Sequence, residues 1–577
     1  MRVYFDYLNG NDSKVLVQDD NIRVVEDIYH YISNALKFYD KNIEYTWEYK
    51  NGFCDNVVNF YDTKNNSLPI GLIARLCDIL KMAYPGITFG LSSRIRSMFT
   101  PPVKISDEEI LRYVETLNVH DRFDGTKYTP YDHQLRLINV ALNHRRGSLM
   151  ACTSAGKSLS IFTLARYLND IEHKKVLVIV PSKALVEQLY RNFHDDYGWD
   201  EAEENCTLIY SESKDKIGAK QKKALAELGM GEDALLKPIT ISTWQSLQYK
   251  EPSFFKPFQA VIVDEAHGMR GDVLRGIVDC CVNAENFKIG VSGTLPDNGI
   301  DAGYIESCLG KKYEIVRLKE LVDKGILTPV NVVSLFVPYP EEHRKFICNS
   351  KFQEEYSVVT NNNTRYDIMD MLIDSKQITL EQNTVILFKN KTPIKLLSEY
   401  MKEHHPEFTY HIIEGDVKVK ERSKICMTLE NTNGNILIGT YGCLQQGINV
   451  KNLHNLVFGE PAKSVYMIMQ SIGRIVRPKK GKTHATCYDI VDDASYVCHG
   501  RTRGDYLKEN YMVRHYRLRE EYYSSDDIPI TQVKLDGIIQ ARIDVENVKQ
   551  KRKAKALAVA ANPKSKNKFK VNYRRQF

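Results

Sequence analysis

The chain has 577 residues, 43% of them hydrophobic, with a formal charge of +6, a length that corresponds to about four domains and an apolar content that supports packed cores. No apolar run reaches transmembrane length and residues 1–21 show no charged-then-apolar leader, which speaks against a membrane protein and sets the cytoplasm as the expected location. Twelve cysteines without a Cys-x-x-Cys pair speak against a disulfide framework and a cysteine zinc site.

Residues 1–104 are rich in Tyr and Asn. Short alternating stretches at Val3–Tyr7 and Val57–Tyr61, with an amphipathic helix predicted over Leu72–Met82, suggest a small α+β domain. Glu48–Gly52 ends on Asn-Gly, a hairpin-turn signal. Pro101-Pro102 breaks regular structure and marks the candidate boundary. A helix with a Ser106 cap is expected over Asp107–Leu117, and a second up to His144. Tyr128-Thr129-Pro130-Tyr131-Asp132-His133-Gln134 opens that second helix. Gln134 offers both an acceptor and a donor, a pair suited to the edge of an adenine ring, although a surface glutamine is the alternative. His133 fits either surface or core.

Met150 to Ser158 ends in Gly156-Lys157-Ser158, the close of a phosphate-binding loop. Such a loop wraps backbone N–H groups around phosphate, brings a lysine to the β and γ phosphates and offers a hydroxyl to Mg²⁺. The full pattern asks for Gly where Ala151 stands. Taken alone, the tripeptide also fits a small-residue turn with a solvated lysine.

Strands are then expected at Val176–Val180, Ile239–Ser242, Ala260–Val263 and Lys288–Val291, with helical stretches between them, as in a doubly wound α/β domain. Their ends, Pro181 to Ala184, Thr243 to Gln245, Asp264 to His267 and Ser292 to Thr294, should line one crevice. In that crevice Asp264 would hold Mg²⁺ beside Ser158, and Glu265 would orient and deprotonate the attacking water.

A second set of strands is expected at Val332–Val337, Thr384–Phe388, Tyr410–Ile413, Ile436–Thr440, Leu456–Gly459 and Ala485–Val491, forming a second α/β domain without a Gly-Lys-Ser loop. After a helical stretch comes Gln470-Ser471-Ile472-Gly473-Arg474-Ile475-Val476-Arg477. Arg474 and Arg477 are three apart, so on a helix they share a face and can neutralise a transferring phosphoryl group; an exposed basic helix end is the alternative. From Val548 to Phe577 there are eleven Lys or Arg and no acid, so the rest of the chain carries −5. The tail is either a polyphosphate contact or a solubilising end.

In their order, over about Tyr128 to Asp492, these blocks resemble the superfamily 2 helicases. Thr153 to Ser158 resembles their first motif, Asp264-Glu265-Ala266-His267 the second, Ser292-Gly293-Thr294 the third and Gln470 to Arg477 the sixth, while Gly439-Thr440-Tyr441 with Gln446-Gly447-Ile448-Asn449 looks like the fifth. Within that superfamily the chain is similar to the recombination and fork-remodelling helicases of T-even-like phages, on Leu68-Pro69-Ile70-Gly71-Leu72, Thr153 to Ser158 and Gly447 to His454. The resemblance implies an α/β fold with two RecA-like doubly wound parallel-sheet domains in tandem, at 105–325 and 326–500. A small α+β substrate-recognition domain at 1–104 would precede them, and a helical segment with a basic tail at 501–577 would follow.

It implies ATP and Mg²⁺ as cofactors, with ATP clamped by both domains. Lys157, Asp264, Glu265, His267, Gln470, Arg474 and Arg477 become catalytic. Gln134, Thr153, Ser154, Ala155, Gly156, Lys157, Ser158, Gly447 and Asn449 become nucleotide contacts, Ser158 and Asp264 metal ligands, and Pro181, Thr243, Lys389 and Thr440 nucleic-acid contacts. The implied activity is an ATP-dependent DNA helicase or translocase on branched DNA, namely forks, displacement or R-loops and four-way junctions, in recombination, repair and replication. RNA is a further possible partner in hybrids. An RNA helicase and an ATP-switched branch-binding or annealing factor are the alternatives.

Overall fold

The computed structural model describes residues 1–40, 43–122, 125–211, 235–360, 363–415, 417, 419–445, 450–460, 462–499, 505–537 and 539. The chain divides into two compact units, Met1–Ile326 and Leu327–Phe577.

Within the first unit, Val176-Leu177-Val178-Ile179-Val180 is buried at every position, as expected of a parallel strand covered on both faces. It lies near the middle of a seven-stranded sheet. The order is Lys312–Val316, Arg146–Ala151, Lys288–Ser292, Ala260–Asp264, Val176–Val180, Ile239–Thr243 and Cys206–Ile209, all parallel. Arg146–Ala151, Lys288–Ser292 and Ala260–Asp264 are therefore adjacent, and their carboxyl ends bring the phosphate-loop, Ser292-Gly293-Thr294 and Asp264-Glu265 segments to one edge.

Residues 1–100 of this unit form a four-stranded sheet, Ser67–Pro69, Asp12–Gln18, Arg2–Asn9 and Thr88–Leu91, closed over Val3, Phe5, Ile28, Leu76 and Leu80. This layer is docked on the larger sheet's helix Gly299–Leu309. A Cβ on Gly71 would meet the Glu306 carbonyl oxygen at 2.0 Å, and one on Gly303 would meet the Phe60 ring at 2.7 Å. Arg75 pairs with Glu306 at 2.5 Å and Arg94 with Glu285 at 2.7 Å. The Asn11 amide donates to Asp279 at 2.6 Å and accepts from the buried Lys288 ammonium at 2.8 Å.

The turn expected at Glu48–Gly52 falls at Asn51-Gly52, where it closes a short helix, Trp47–Lys50, rather than a hairpin. Thr46 caps its start by accepting from the Tyr49 N–H, Asn51 caps its end, and Gly52 takes a left-handed φ of 73°. Here Asn-Gly closes a helix, a use of the left-handed region as common as the hairpin turn. The segment presents Trp47 and Phe53 stacked at 5.3 Å.

Within the second unit the sheet is again seven-stranded and parallel. Its order is Thr409–Ile413, Asn435–Thr440, Thr384–Phe388, Asn455–Phe458, Ala485–Asp493, Val330–Pro338 and Ile530–Lys534. The last strand comes from the region read as a separate C-terminal segment, so residues 505–537 are built into this unit. Helix Tyr511–Ser525 is held there by a buried ion pair, with Arg519 forking onto Asp489 at 2.8 Å through both nitrogens and Tyr523 donating to the same carboxylate at 3.0 Å. The basic tail, 548–577, lies outside the described residues.

Candidate nucleotide site

The loop Cys152–Gly156 joins strand Arg146–Ala151 to helix Lys157–Asp170. Ser154 and Gly156 take left-handed φ values of 69° and 77°, and Gly156 is the N-cap of the helix, so the loop ends on a helix N-terminus. That geometry suits an anion. Lys157 lies across the loop, donating to the carbonyls of Ala151 and Cys152 at 3.3 Å each. Ser158 follows in the first helical turn, and Thr153 faces Gly293, whose Cβ, if present, would stand 2.9 Å from the Thr153 hydroxyl and 3.5 Å from the Lys157 ammonium. Glycine at 293 thus lets the third strand end close on the loop.

His133 and Gln134 brace the loop from helix Asp132–His144. Both are 6% exposed. His133 Nε2 meets the Ala155 carbonyl at 2.8 Å, and burial holds its pKa below the ordinary 6.5. The Gln134 amide donates to the carbonyls of Ala155 and Gly156 at 3.3 Å while its oxygen accepts from the Tyr131 N–H at 2.9 Å. A Cβ at position 156 would collide with that amide at 2.2 Å. Sequence reasoning left His133 open and gave Gln134 a base edge to read; here both hold backbone.

At the neighbouring strand end, Asp264 accepts from the Glu265 N–H at 2.9 Å, and Glu265 takes a left-handed φ of 52°. Ser292 donates to Glu265 at 3.3 Å, and His267 Nδ1 stands 3.0 Å from the Ser292 hydroxyl and 3.3 Å from the Glu265 carboxylate. The acids are driven apart. Burial and the charge of Glu265 raise the Asp264 pKa. For Glu265, burial is outweighed by the His267 hydrogen bond and the Lys157 charge, so its value falls. A carboxylate poised beside a second, ionised one is an arrangement for acid–base work or a divalent cation.

Of the strand-end residues read as nucleic-acid contacts, the Pro181 carbonyl accepts from Gln245 at 3.0 Å. Thr243 is 4% exposed, with its hydroxyl on Ser246 at 3.1 Å. In the second unit, Lys389 is exposed at the end of strand Thr384–Phe388, and the Thr440 hydroxyl lies 3.1 Å from Cys443 Sγ.

Helix Val465–Ile475 carries Gln470 and Arg474, but it ends at a Val476 cap. Arg477 therefore lies beyond it, and the shared helical face expected for the two arginines is absent. They remain close enough to interact: burial, then the Arg474 charge, pushes the Arg477 guanidinium down to about 9. Gly447 and Asn449 lie outside the described residues. Among the described residues no three His, Cys, Asp or Glu gather as a metal cluster, and no helix is long and apolar enough to cross a membrane.

Residues 127–297 match the family described as type III restriction enzyme, res subunit, and residues 365–479 match the helicase conserved C-terminal domain. The chain carries superfamily 2 helicase domains. It is 26% identical over 508 residues to the ATP-dependent DNA helicase uvsW of Enterobacteria phage T4, covering 87% of this chain and 94% of that one. A crystal structure of T4 UvsW aligns with 93% of this chain and 100% of its own, at 22% identity and a TM-score of 0.45. A fragment of a putative HsdR subunit of a type I restriction enzyme from Vibrio vulnificus aligns with 92% of this chain and 86% of its own, at 14% identity and a TM-score of 0.50. The second of these solved structures bears on the fold alone. The tandem seven-stranded parallel sheets are RecA-like.

Proposed function

We propose that this superfamily 2 helicase hydrolyses ATP to unwind or remodel branched DNA. The observation that carries the reading is the meeting of three adjacent strand ends on Lys157, Glu265 and Ser292. There a phosphate cradle, an ionised carboxylate and a connecting hydroxyl–imidazole pair occupy one edge of the first unit.

Lys157 leaves the Ala151 and Cys152 carbonyls to neutralise β and γ phosphate oxygens. Glu265, held ionised by His267 and Ser292, takes the proton of the attacking water. Through Ser292 the same contact couples the acid to the strand end that touches Thr153. Mg²⁺ fits the oxygen set here, since the Ser158 hydroxyl and the Asp264 carboxylate, whose charge is disfavoured by burial and by Glu265, are hard oxygen ligands. When bound, Mg²⁺ would supply charge neutralisation on the phosphates. In the second unit, Arg474 and Arg477 repel one another, with Glu430 offsetting part of that effect on Arg477, and two neighbouring guanidinium groups suit a polyphosphate. Gln470, on the helix that bears Arg474, is carried with them.

Nucleic acid would be held through its backbone by Lys389 and Thr440 of the second unit and by the Pro181 and Thr243 loops of the first. Because Thr243 is buried, its contribution is through backbone rather than hydroxyl. Such binding is weakly sequence-dependent and strongly salt-dependent. The relative from phage T4 is named a DNA helicase, which favours DNA over RNA. ATP turnover measured separately with single-stranded DNA, duplex DNA, forked DNA and RNA tests the reading. Forked DNA is expected to stimulate most; equal stimulation by RNA would sink the DNA assignment, and stimulation by none would sink the helicase.

A further inference from the structure

At the carboxyl edge of the second unit's sheet, strands Thr384–Phe388 and Asn455–Phe458 pair side by side, and a cavity of about 420 Å³ opens beyond their ends. Tyr356, on helix Phe352–Thr360, and Tyr366, on helix Thr364–Asp374, give it aromatic walls. Asn390 and Leu396 form the lip on the side of helix Lys391–His404, and Leu396 is 51% exposed.

The mouth is organised by one buried acid. Glu460, 1% exposed, accepts from the backbone N–H of Lys389 at 2.5 Å and of Asn390 at 2.9 Å, from the Asn390 amide at 3.1 Å and from the Tyr356 hydroxyl at 3.3 Å. One carboxylate thus ties the aromatic wall to the loop that carries Lys389. The Lys389 ammonium then sits over the Tyr356 ring, 5.4 Å from its centroid. A cation beside a half-exposed aromatic wall, over a cavity within the roughly 300–1,000 Å³ of small-ligand sites, matches the two parts of a nucleotide, phosphate outside and base within. None of the nucleotide chemistry of the first unit uses this cavity.

We infer that this cavity is a nucleobase pocket: an unstacked base of the bound single strand enters against Tyr356 while its phosphate rests on Lys389. The inference rests on the nucleic-acid reading above and deepens it, because it makes the second unit hold a base as well as backbone. Glu460 acts as a positioning residue. A base seated here would be withheld from re-pairing, and its stacking is sequence-tolerant because every base has a π face.

The test compares two single strands of equal length and charge, one base-bearing and one fully abasic, by fluorescence anisotropy on the full chain without nucleotide. The wild type is expected to bind the base-bearing strand at least about fivefold more tightly, the lower end of what stacking on one aromatic side chain contributes. Tyr356→Ala, which removes the wall, and Leu396→Trp, which fills the mouth from an exposed position, should lose that preference and keep the abasic affinity. Tyr356→Phe, which keeps the ring, should retain it. Leu396→Trp covers the case in which Tyr356→Ala fails to fold. Equal binding of both strands by the wild type, or an unchanged preference in Leu396→Trp, overturns the pocket. Absence of binding to either strand overturns instead the nucleic-acid reading beneath it.

Discussion

Gly156 shows how little freedom a residue at the phosphate loop has. Its φ of 77° disfavours any side chain, and the Gln134 amide already fills the space a Cβ would take. The loop's other brace, His133, titrates. Its folded pKa lies below 6.5 because burial penalises the charged ring, so as pH falls below 6.5 the unfolded chain takes up the proton first. Stability is therefore full above about 6.5 and lost as pH falls from there through the folded value. His133→Gln, which can still donate to the Ala155 carbonyl, should flatten the acid limb of a thermal-stability profile; an unchanged limb would assign it to other groups. The assigned roles also separate two variants. Lys157→Ala should weaken nucleotide binding and abolish turnover, whereas Glu265→Gln should bind ATP as the wild type does and fail to hydrolyse it. Equal loss of binding in both, measured with a fluorescent nucleotide, would undo the assignment. Arg477→Ala should slow turnover by about 10³-fold, the scale of an arginine on a transferring phosphoryl group; normal turnover would remove it from the chemistry.

At the scale of elements, what the sequence disclosed follows burial. Val176–Val180, Ala260–Val263 and Thr384–Phe388 were legible because central parallel strands are apolar throughout, and the chemistry at their ends was legible because Gly-Lys-Ser and Asp-Glu-Ala-His are written contiguously. Three strands that went unread in the two large sheets, Cys206–Ile209, Lys312–Val316 and Ile530–Lys534, lie at sheet edges and expose part of each run. Also hidden were contacts made by residues far apart in sequence. Asp489 and Asp492 are three apart on strand Ala485–Asp493, so they point to opposite faces. Arg519 reaches one, and Arg365 reaches the other with two bonds of 2.7 Å. Each pair pins a covering helix. Asp489→Ala strands the Arg519 guanidinium, and breaking a buried pair this way costs about 3–5 kcal/mol. The calorimetric transition of the second unit should then fall by roughly 10 °C, since a unit of this size loses about 2–4 °C per kcal/mol. Nucleotide binding at the Lys157 loop, which belongs to the first unit, should survive. An unshifted transition would mean that helix Tyr511–Ser525 is held by its apolar contacts alone.

For the whole molecule, the docking of residues 1–100 on helix Gly299–Leu309 changes how branch recognition must be tested. Deleting residues 1–104 would bare Gly303, Tyr304 and Lys288 in the rest of the first unit, so a lost activity would report damage rather than recognition. Point changes at the dock avoid this. Arg75 and Arg94 pair with Glu306 and Glu285 across the contact, and Arg94 lies 53% exposed, so its change is tolerable to the fold. If the docked layer supplies a second contact on a duplex arm, its benefit comes through effective concentration, which depends on a fixed separation from the strand held by the motor. Arg75→Ala with Arg94→Ala should loosen that separation. Fork unwinding is expected to fall by about tenfold or more, a part of the 10²–10⁴ that linked contacts can provide, while single-strand-stimulated ATP turnover stays within about twofold. The two rates must be measured on the same preparation. A parallel fall in both would make the N-terminal layer a folding support, and no fall in either would place branch selection elsewhere in the chain.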